Sequence, residues 1–250
     1  MRVAVAGGTG TAGRHAVDAL RTAGHEPVVL ARSTGVDVRS GSGLDAALEG
    51  VDVVIDALNG GSTNRDRATA FFVESTGNLQ RAGVRAGVAG MVVLSIVGID
   101  RVPGFAYYDA KRAHEEAALG GPLPVTVVRA TQFHEFAGQL LDRLSLGPLA
   151  AVPSMRIQPV AAREVGRFLV EVAVQDPDAG RRELAGPEEV GLVDMARRTA
   201  HRRGSRRVVV PVRLPGAVGA ALRGGALLPG PDAAIVGPGP LEWLESSDAP

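Results

Sequence analysis

The chain has 250 residues, enough for one α/β domain or two small ones, with 45% hydrophobic and 22% charged residues. Lys plus Arg equals Asp plus Glu, so net charge supplies no general pull toward nucleic acid or a membrane surface. The absence of cysteine excludes disulfides, thiolate metal sites and a thiol nucleophile, and the five scattered histidines show no paired ligand spacing, so no metal is expected.

In chain order, RVAVA (2–6) predicts a strand, followed by a helix over 11–23 and a second strand at 27–31. GVDV (35–38) predicts a short third strand and 42–49 a helix. VDVVIDAL (51–58) predicts a fourth strand covered on both faces. A long helix over 64–86, a strand at 91–98, a helix over 106–119 and a strand at 124–130 complete the series. Short apolar strands alternating with helices predict a parallel sheet wound by right-handed crossovers. Further on, helices are expected at 134–146, 162–175 and 190–203, with strands at 182–186 and 207–212. From Pro211 the chain is rich in Pro and Gly, as in loops joining short helices in a cap, or a partly mobile tail. The simplest organisation is a single compact unit, with 1–150 as a dinucleotide-binding core and 151–250 as remaining core elements plus a cap. The apolar run after Arg2 is short, and no later stretch approaches about 18 uninterrupted apolar residues, so a soluble cytoplasmic protein with no membrane partner is expected.

VAVAGGTGTAGR (3–14) places Gly7, Gly10 and Gly13 between the first strand and the first helix. A tight turn lets a phosphate approach the backbone, and the helix start then offers N–H donors and a positive dipole end. Gly13 would let the helix pack closely on the sheet. The phosphate-facing turn would comprise Gly7, Thr9, Gly10, Thr11 and Ala12, the two threonines adding hydroxyls; the alternative is a merely tight turn. No Gly-Lys-Ser/Thr follows, so this is not a P-loop. An NAD site places an acid about 20 residues past the glycines, but here the second strand ends LARS. Arg32 and Ser33, joined by Arg14, suit a 2′-phosphate and favour NADPH/NADP+ over NADH, against the reading of Arg32 as a solvated charge. Asp37 would sit near the adenine. Ala57, Leu58 and Asn59 would pass along the adenosine.

YYDAK puts Tyr107 and Lys111 four apart on one predicted helix face. An ammonium beside a phenol favours the phenolate and can also hold a ribose hydroxyl, which makes a proton donor or acceptor. The alternative is an amphipathic helix start with one Tyr buried and Lys111 solvated. GGTGTAGR, LARS, LSIVGID, YYDAK and VVRATQFHEF, in this order, resemble the atypical short-chain dehydrogenase/reductases, in particular their NmrA-like NAD(P)-binding branch. The resemblance implies a doubly wound parallel sheet (Rossmann) with a small C-terminal substrate cap. It implies Tyr107 as proton donor to a carbonyl, and Lys111 as ribose anchor and modulator of Tyr107. It also implies Arg32 as 2′-phosphate reader, and Thr131, Gln132 and Phe133 along the nicotinamide. Active members carry a Ser or Thr just beyond the fifth strand; here Ser95 stands two residues early, about 7 Å along the strand, with Val97 at the expected place. The branch also includes non-catalytic redox sensors.

His134 is read either as a substrate-facing second acid/base or as a hydrogen-bonded structural residue. RRTAHRRGSRR (197–207) lacks interleaved aromatics and reads as a solvated face, so no nucleic acid is expected. Met155, Trp243 and 214–228 would line the cap or a subunit contact. The expectation is an NADPH-dependent oxidoreductase on a small organic carbonyl or activated double bond, with a redox sensor and an epimerase or isomerase as alternatives. Its partner would be a small-molecule substrate, and self-association stays open.

Overall fold

The computed structural model describes every residue except Thr63, Asp176, Asp178, Ala179, Ser247, Asp248 and Pro250. The β-branched runs of the first half become strands β1 (Arg2–Ala6), β2 (Glu26–Leu30), β3 (Val53–Asp56), β4 (Gly90–Ile96) and β5 (Val125–Ala130). Helices α1 (Gly13–Thr22), α2 (Leu44–Ala47), α3 (Arg65–Ala86) and α4 (Ala106–Leu119) lie between them. Then follow α5 (Glu135–Arg143), β6 (Ser145–Leu146), β7 (Leu149–Pro153), β8 (Arg156–Ile157) and α6 (Ala162–Gln175). The chain continues through β9 (Arg181–Ala185), β10 (Val190–Gly191), α7 (Leu192–Arg202) and β11 (Val208–Val212). It closes with α8 (Gly216–Arg223), β12 (Ala234–Ile235) and α9 (Pro240–Glu245).

The principal sheet has seven strands in the order β2-β1-β3-β4-β5-β9-β12, a Rossmann-like α/β arrangement. β1 pairs in parallel with β2 (Val3 opposite Pro27) and with β3 (Val3 opposite Val53). The chain therefore moves outward from β1 to β2, then returns across β1 to continue the other way. Right-handed crossovers require that reversal to switch faces, so α1 covers one face and α3 and α4 the other. The reversal leaves a crevice beyond the ends of β1 and β3, where ligands of open α/β sheets bind.

Chemistry at the ends sets the helix boundaries. α3 begins where the Asn64 side chain accepts from Arg67 N–H and ends where Gly87 turns left-handed, with φ +74°. Its buried Leu79 and Ala82 join Ala4, Val54, Met91 and Val127 in one apolar core.

GVDV forms no third strand. After β2 the chain makes a single 3-10 turn, Arg32–Thr34, and Asp37 only touches Ser42 in an isolated bridge. Asp37 instead accepts from Arg39 N–H and from the Ser40 hydroxyl, each at 3.1 Å, a local turn that competes with sheet pairing. The helix expected over 42–49 shrinks to α2. Where the sequence suggested a break near 150 in a single unit, the chain forms two compact units with interleaved limits. The first comprises 1–95, 106–129 and 163–182, and the second 96–105, 130–162 and 183–250. The second unit holds two small sheets that the sequence did not announce, β6-β7-β11 and β8-β10. β11, expected to extend the alternating pattern, pairs with β7 there. Among the described residues no helix is long and apolar enough to cross a membrane.

Candidate functional site

The glycine turn stands at the end of β1. Gly7 has φ +76°, and a Cβ placed on it would lie 2.6 Å from the Ala57 carbonyl oxygen. A Cβ on Gly13 would lie 2.1 Å from the Gly7 carbonyl oxygen. Both glycines are thus required by the protein's own backbone. Gly10 differs: it is exposed, and a Cβ there would meet only the Gly7 oxygen, at 3.1 Å. Thr9 is exposed beside it, Thr11 is half-buried, and Ala12 is the buried N-cap of α1. That N-cap offers no side-chain hydrogen bond, and the first turn of α1 carries no acid. The positive potential at the helix start is therefore matched by no acid of α1 itself.

Arg32 and Ser33 are exposed in the turn that follows β2, where no acid stands, and Arg14 is exposed at the start of α1. Ala57, Leu58 and Asn59 follow β3. Ala57 N–H donates to the Ala6 carbonyl at 3.0 Å, tying this segment to the end of β1.

Tyr107 and Lys111 occupy the first two turns of α4, and their environments differ sharply. Tyr107 is half-buried and its hydroxyl donates to Asn59 Oδ1 at 3.0 Å. Neighbouring Tyr108 is buried, and burial, with Tyr107 adding to it, pushes its phenol far above the ordinary range. Lys111 is 3% exposed, which departs from the reading of a solvated lysine. Its Nζ donates to the Leu94 carbonyl at 2.7 Å and lies 2.7 Å from His114 Nδ1 and 4.7 Å from the centre of the Phe72 ring. His114, also buried, stacks on Phe72 and reaches Asp56 Oδ2 through Nε2 at 2.9 Å. Asp56 Oδ2 further accepts from the Thr76 hydroxyl at 3.2 Å, and Oδ1 from Leu58 N–H at 3.0 Å.

These groups perturb one another. Burial lowers the Lys111 pKa to about 8, against the opposing charges of Asp56 and Glu115. Burial and the Lys111 charge hold His114 below the usual imidazole range. Burial would raise Asp56, but His114, Leu58 N–H and Lys111 together keep it below the usual carboxylate range. On the next turn Glu115 makes a buried two-pronged pair with Arg129, at 2.9 and 2.7 Å.

Sequence reasoning missed Asp56 and His114. Two signals pointed to them: an acid at the end of an otherwise apolar strand, and a histidine three residues beyond Lys111 on the same helix face.

Ser95 lies within β4, 2% exposed, with its hydroxyl unpartnered, and Val97 is fully buried. The remaining candidates belong to the second unit. Thr131 Oγ1 donates to the Gln158 carbonyl at 2.6 Å, Phe133 bridges to Val160, and the half-buried Gln132 keeps both amide atoms unpaired. His134 is fully buried, stacks on Trp243 and places Nε2 3.2 Å from the Pro238 carbonyl. Burial lowers its pKa to about 4. So enclosed a ring fits the reading of His134 as a hydrogen-bonded structural residue and departs from that of a substrate-facing acid/base. A cavity of about 360 Å³ in this unit is lined by Met155, Arg156, Asp194, Arg197 and Arg223, while Trp243 packs on Ala161. Arg202 and Arg203 of the basic cluster donate to the Leu244 carbonyl and pair with Asp142.

Fold and glycine turn together define a Rossmann-like α/β protein. No family model matches the chain. It is 30% identical over 183 residues to the photosystem II assembly factor Ycf39 of Synechocystis, a match covering 64% of this chain and 56% of that protein. The chain thus spans little more than half the length of that curated relative. Among solved structures it resembles MoeE5 in complex with UDP-glucose and NAD, with TM-score 0.72, 20% identity and 98% of each chain covered. It also resembles UDP-N-acetylglucosamine 4-epimerase from Bacillus cereus, with TM-score 0.66, 17% identity and 84% and 85% covered. A dTDP-4-dehydrorhamnose reductase from Clostridium acetobutylicum gives TM-score 0.67 at 15% identity, with 95% and 90% covered. The solved neighbours share the Rossmann-like fold that the glycine motif predicts.

Proposed function

We propose that the chain is a nicotinamide-dinucleotide-dependent oxidoreductase that prefers NADPH and reduces a small organic carbonyl or activated double bond. The observation that carries this reading is the uncapped, acid-free start of α1 beside exposed Gly10, at the crevice between β1 and β3. A pyrophosphate suits that place because its negative charge is stabilised at the positive end of the helix dipole. Arg32, exposed where an NAD site would carry an acid, supports the phosphorylated cofactor. Bound there, the dinucleotide supplies hydride. Tyr107, whose hydroxyl donates to Asn59 Oδ1, would turn that proton to the carbonyl oxygen and donate it there. Epimerases and reductases of nucleotide sugars among the fold neighbours support this chemistry, and its variant in which the hydride is returned.

A second reading, a dinucleotide-binding protein that reports to a protein partner, is favoured by two observations. The sequence relative is named as an assembly factor, and Ser95 Oγ is enclosed in β4 rather than presented beyond it. A carbonyl and enone screen that follows NADPH consumption separates the two. Turnover that Tyr107→Phe abolishes supports the enzyme; dinucleotide binding with no consumption of any substrate supports the reporter.

A further inference from the structure

Lys111 is the single lysine in a chain with twenty-seven Lys and Arg residues. Every other strong cation is arginine, and a lysine differs from them in its compact head, which fits a closed site and can lose its proton. The ammonium has three donors. One goes to the Leu94 carbonyl and one to His114 Nδ1, and its flank lies over Phe72. An ammonium can only donate, so Nδ1 must accept, which places the imidazole proton on Nε2, facing Asp56 Oδ2 at 2.9 Å. Asp56 in turn holds Leu58 N–H and so shapes the turn whose Asn59 accepts the Tyr107 hydroxyl. The path closes on itself, because Tyr107 and Lys111 share α4.

We propose that Asp56 and His114 are positioning residues for the Tyr107–Lys111 pair, a buried Asp–His–Lys chain that aims the lysine and holds its charge against the carboxylate while fixing the turn that orients the phenol. One proton moving from Nζ to Nδ1, with Nε2 releasing its own to Asp56, would shift positive charge from lysine toward β3 without any group entering or leaving. The ionisable groups acting on Lys111 are Asp56 from β3 and His114 and Glu115 from α4, with Arg129 of β5 engaged by Glu115; from α3, Phe72 lies under the ammonium and Thr76 donates to Asp56. The claim rests on reading Tyr107 and Lys111 as the acid–base pair, but its test does not.

Protein labelled with 15N-lysine gives one side-chain signal, which reports Lys111 directly. Asp56→Asn removes the counter-charge and is expected to move the Lys111 titration downward by about one pH unit, a tenfold rise in neutral lysine. His114→Asn, which keeps an acceptor near Nδ1 but drops the link to Asp56, is expected to move it the same way by less. Folded variants whose lysine titrates as in the unmodified protein would overturn the proposal. Should both variants fail to fold, 15N-histidine shifts of the unmodified protein decide: a proton on Nε2 at neutral pH is expected, and one on Nδ1 alone would overturn it. A chain that passes these tests but binds none of NADPH, NADP+, NADH and NAD+ in calorimetry would keep this inference and remove the cofactor reading.

Discussion

The glycine turn and the Asp56–His114–Lys111 chain belong to the same unit, and they are built on opposite terms. The turn is exposed: α1 starts without a side-chain cap, and Thr9, Gly10, Arg14 and Arg32 face solvent. The chain leaves nothing open: each polar atom of Asp56 and His114, and two donors of Lys111, find partners inside the protein. Unsatisfied N–H groups at a helix start are cheap in water and valuable to an anion, whereas a buried charge persists only when paired. One region thus faces solvent, and the other encloses its charges.

Substitutions that cross this division are the sharpest probes. The largest expected effect is Tyr107→Phe, which should cut NADPH-dependent turnover by roughly 10²- to 10⁴-fold. Its thermal midpoint should barely move, because the hydroxyl's partner Asn59 is exposed. His114→Leu strands the Asp56 carboxylate and the Lys111 ammonium, and should destabilise the fold by about 3–5 kcal/mol in chemical denaturation. A value near zero would mean the chain is not paired as described. Within the turn, Gly13→Ala forces a Cβ toward the Gly7 oxygen and should cost more than about 3 kcal/mol of stability. Gly10→Ala should fold normally and weaken dinucleotide binding, which separates backbone packing from ligand access. The smallest effect is on pH dependence. The folded Lys111 pKa of about 8 lies below its ordinary value of 10.5, so the unfolded chain binds more protons across that window. Stability should therefore rise between pH 8 and 10, by about 1–2 kcal/mol, and Lys111→Met should remove the rise.

Much of the frame was legible in the sequence. α3, α4 and α6 fall within a residue of the spans 64–86, 106–119 and 162–175 that their apolar spacing predicts, and the glycine turn falls between β1 and α1. GVDV misled because its alternation suits a strand, yet Asp37 satisfies backbone and side-chain donors within its own turn. The small sheets of the second unit were hidden because strands of two residues, such as β6 and β8, are too short to show a period. Burial of Lys111 was hidden for another reason. Helical spacing put it on the face of Tyr107, but spacing does not say how deep that face runs. Asp56 and His114, set deep in β3 and α4, draw the ammonium inward. His134 shows the same limit in the second unit, where Trp243, more than a hundred residues away in the chain, covers the ring.

The most direct test of the account is calorimetric titration of the purified protein with NADPH, NADP+, NADH and NAD+, repeated on Arg32→Ala. The expected result is tight binding of the phosphorylated pair over the other two, with the variant losing roughly 10- to 100-fold of that affinity and none of its affinity for NADH. Binding by none of the four would contradict the account, and the open start of α1 would then serve no dinucleotide.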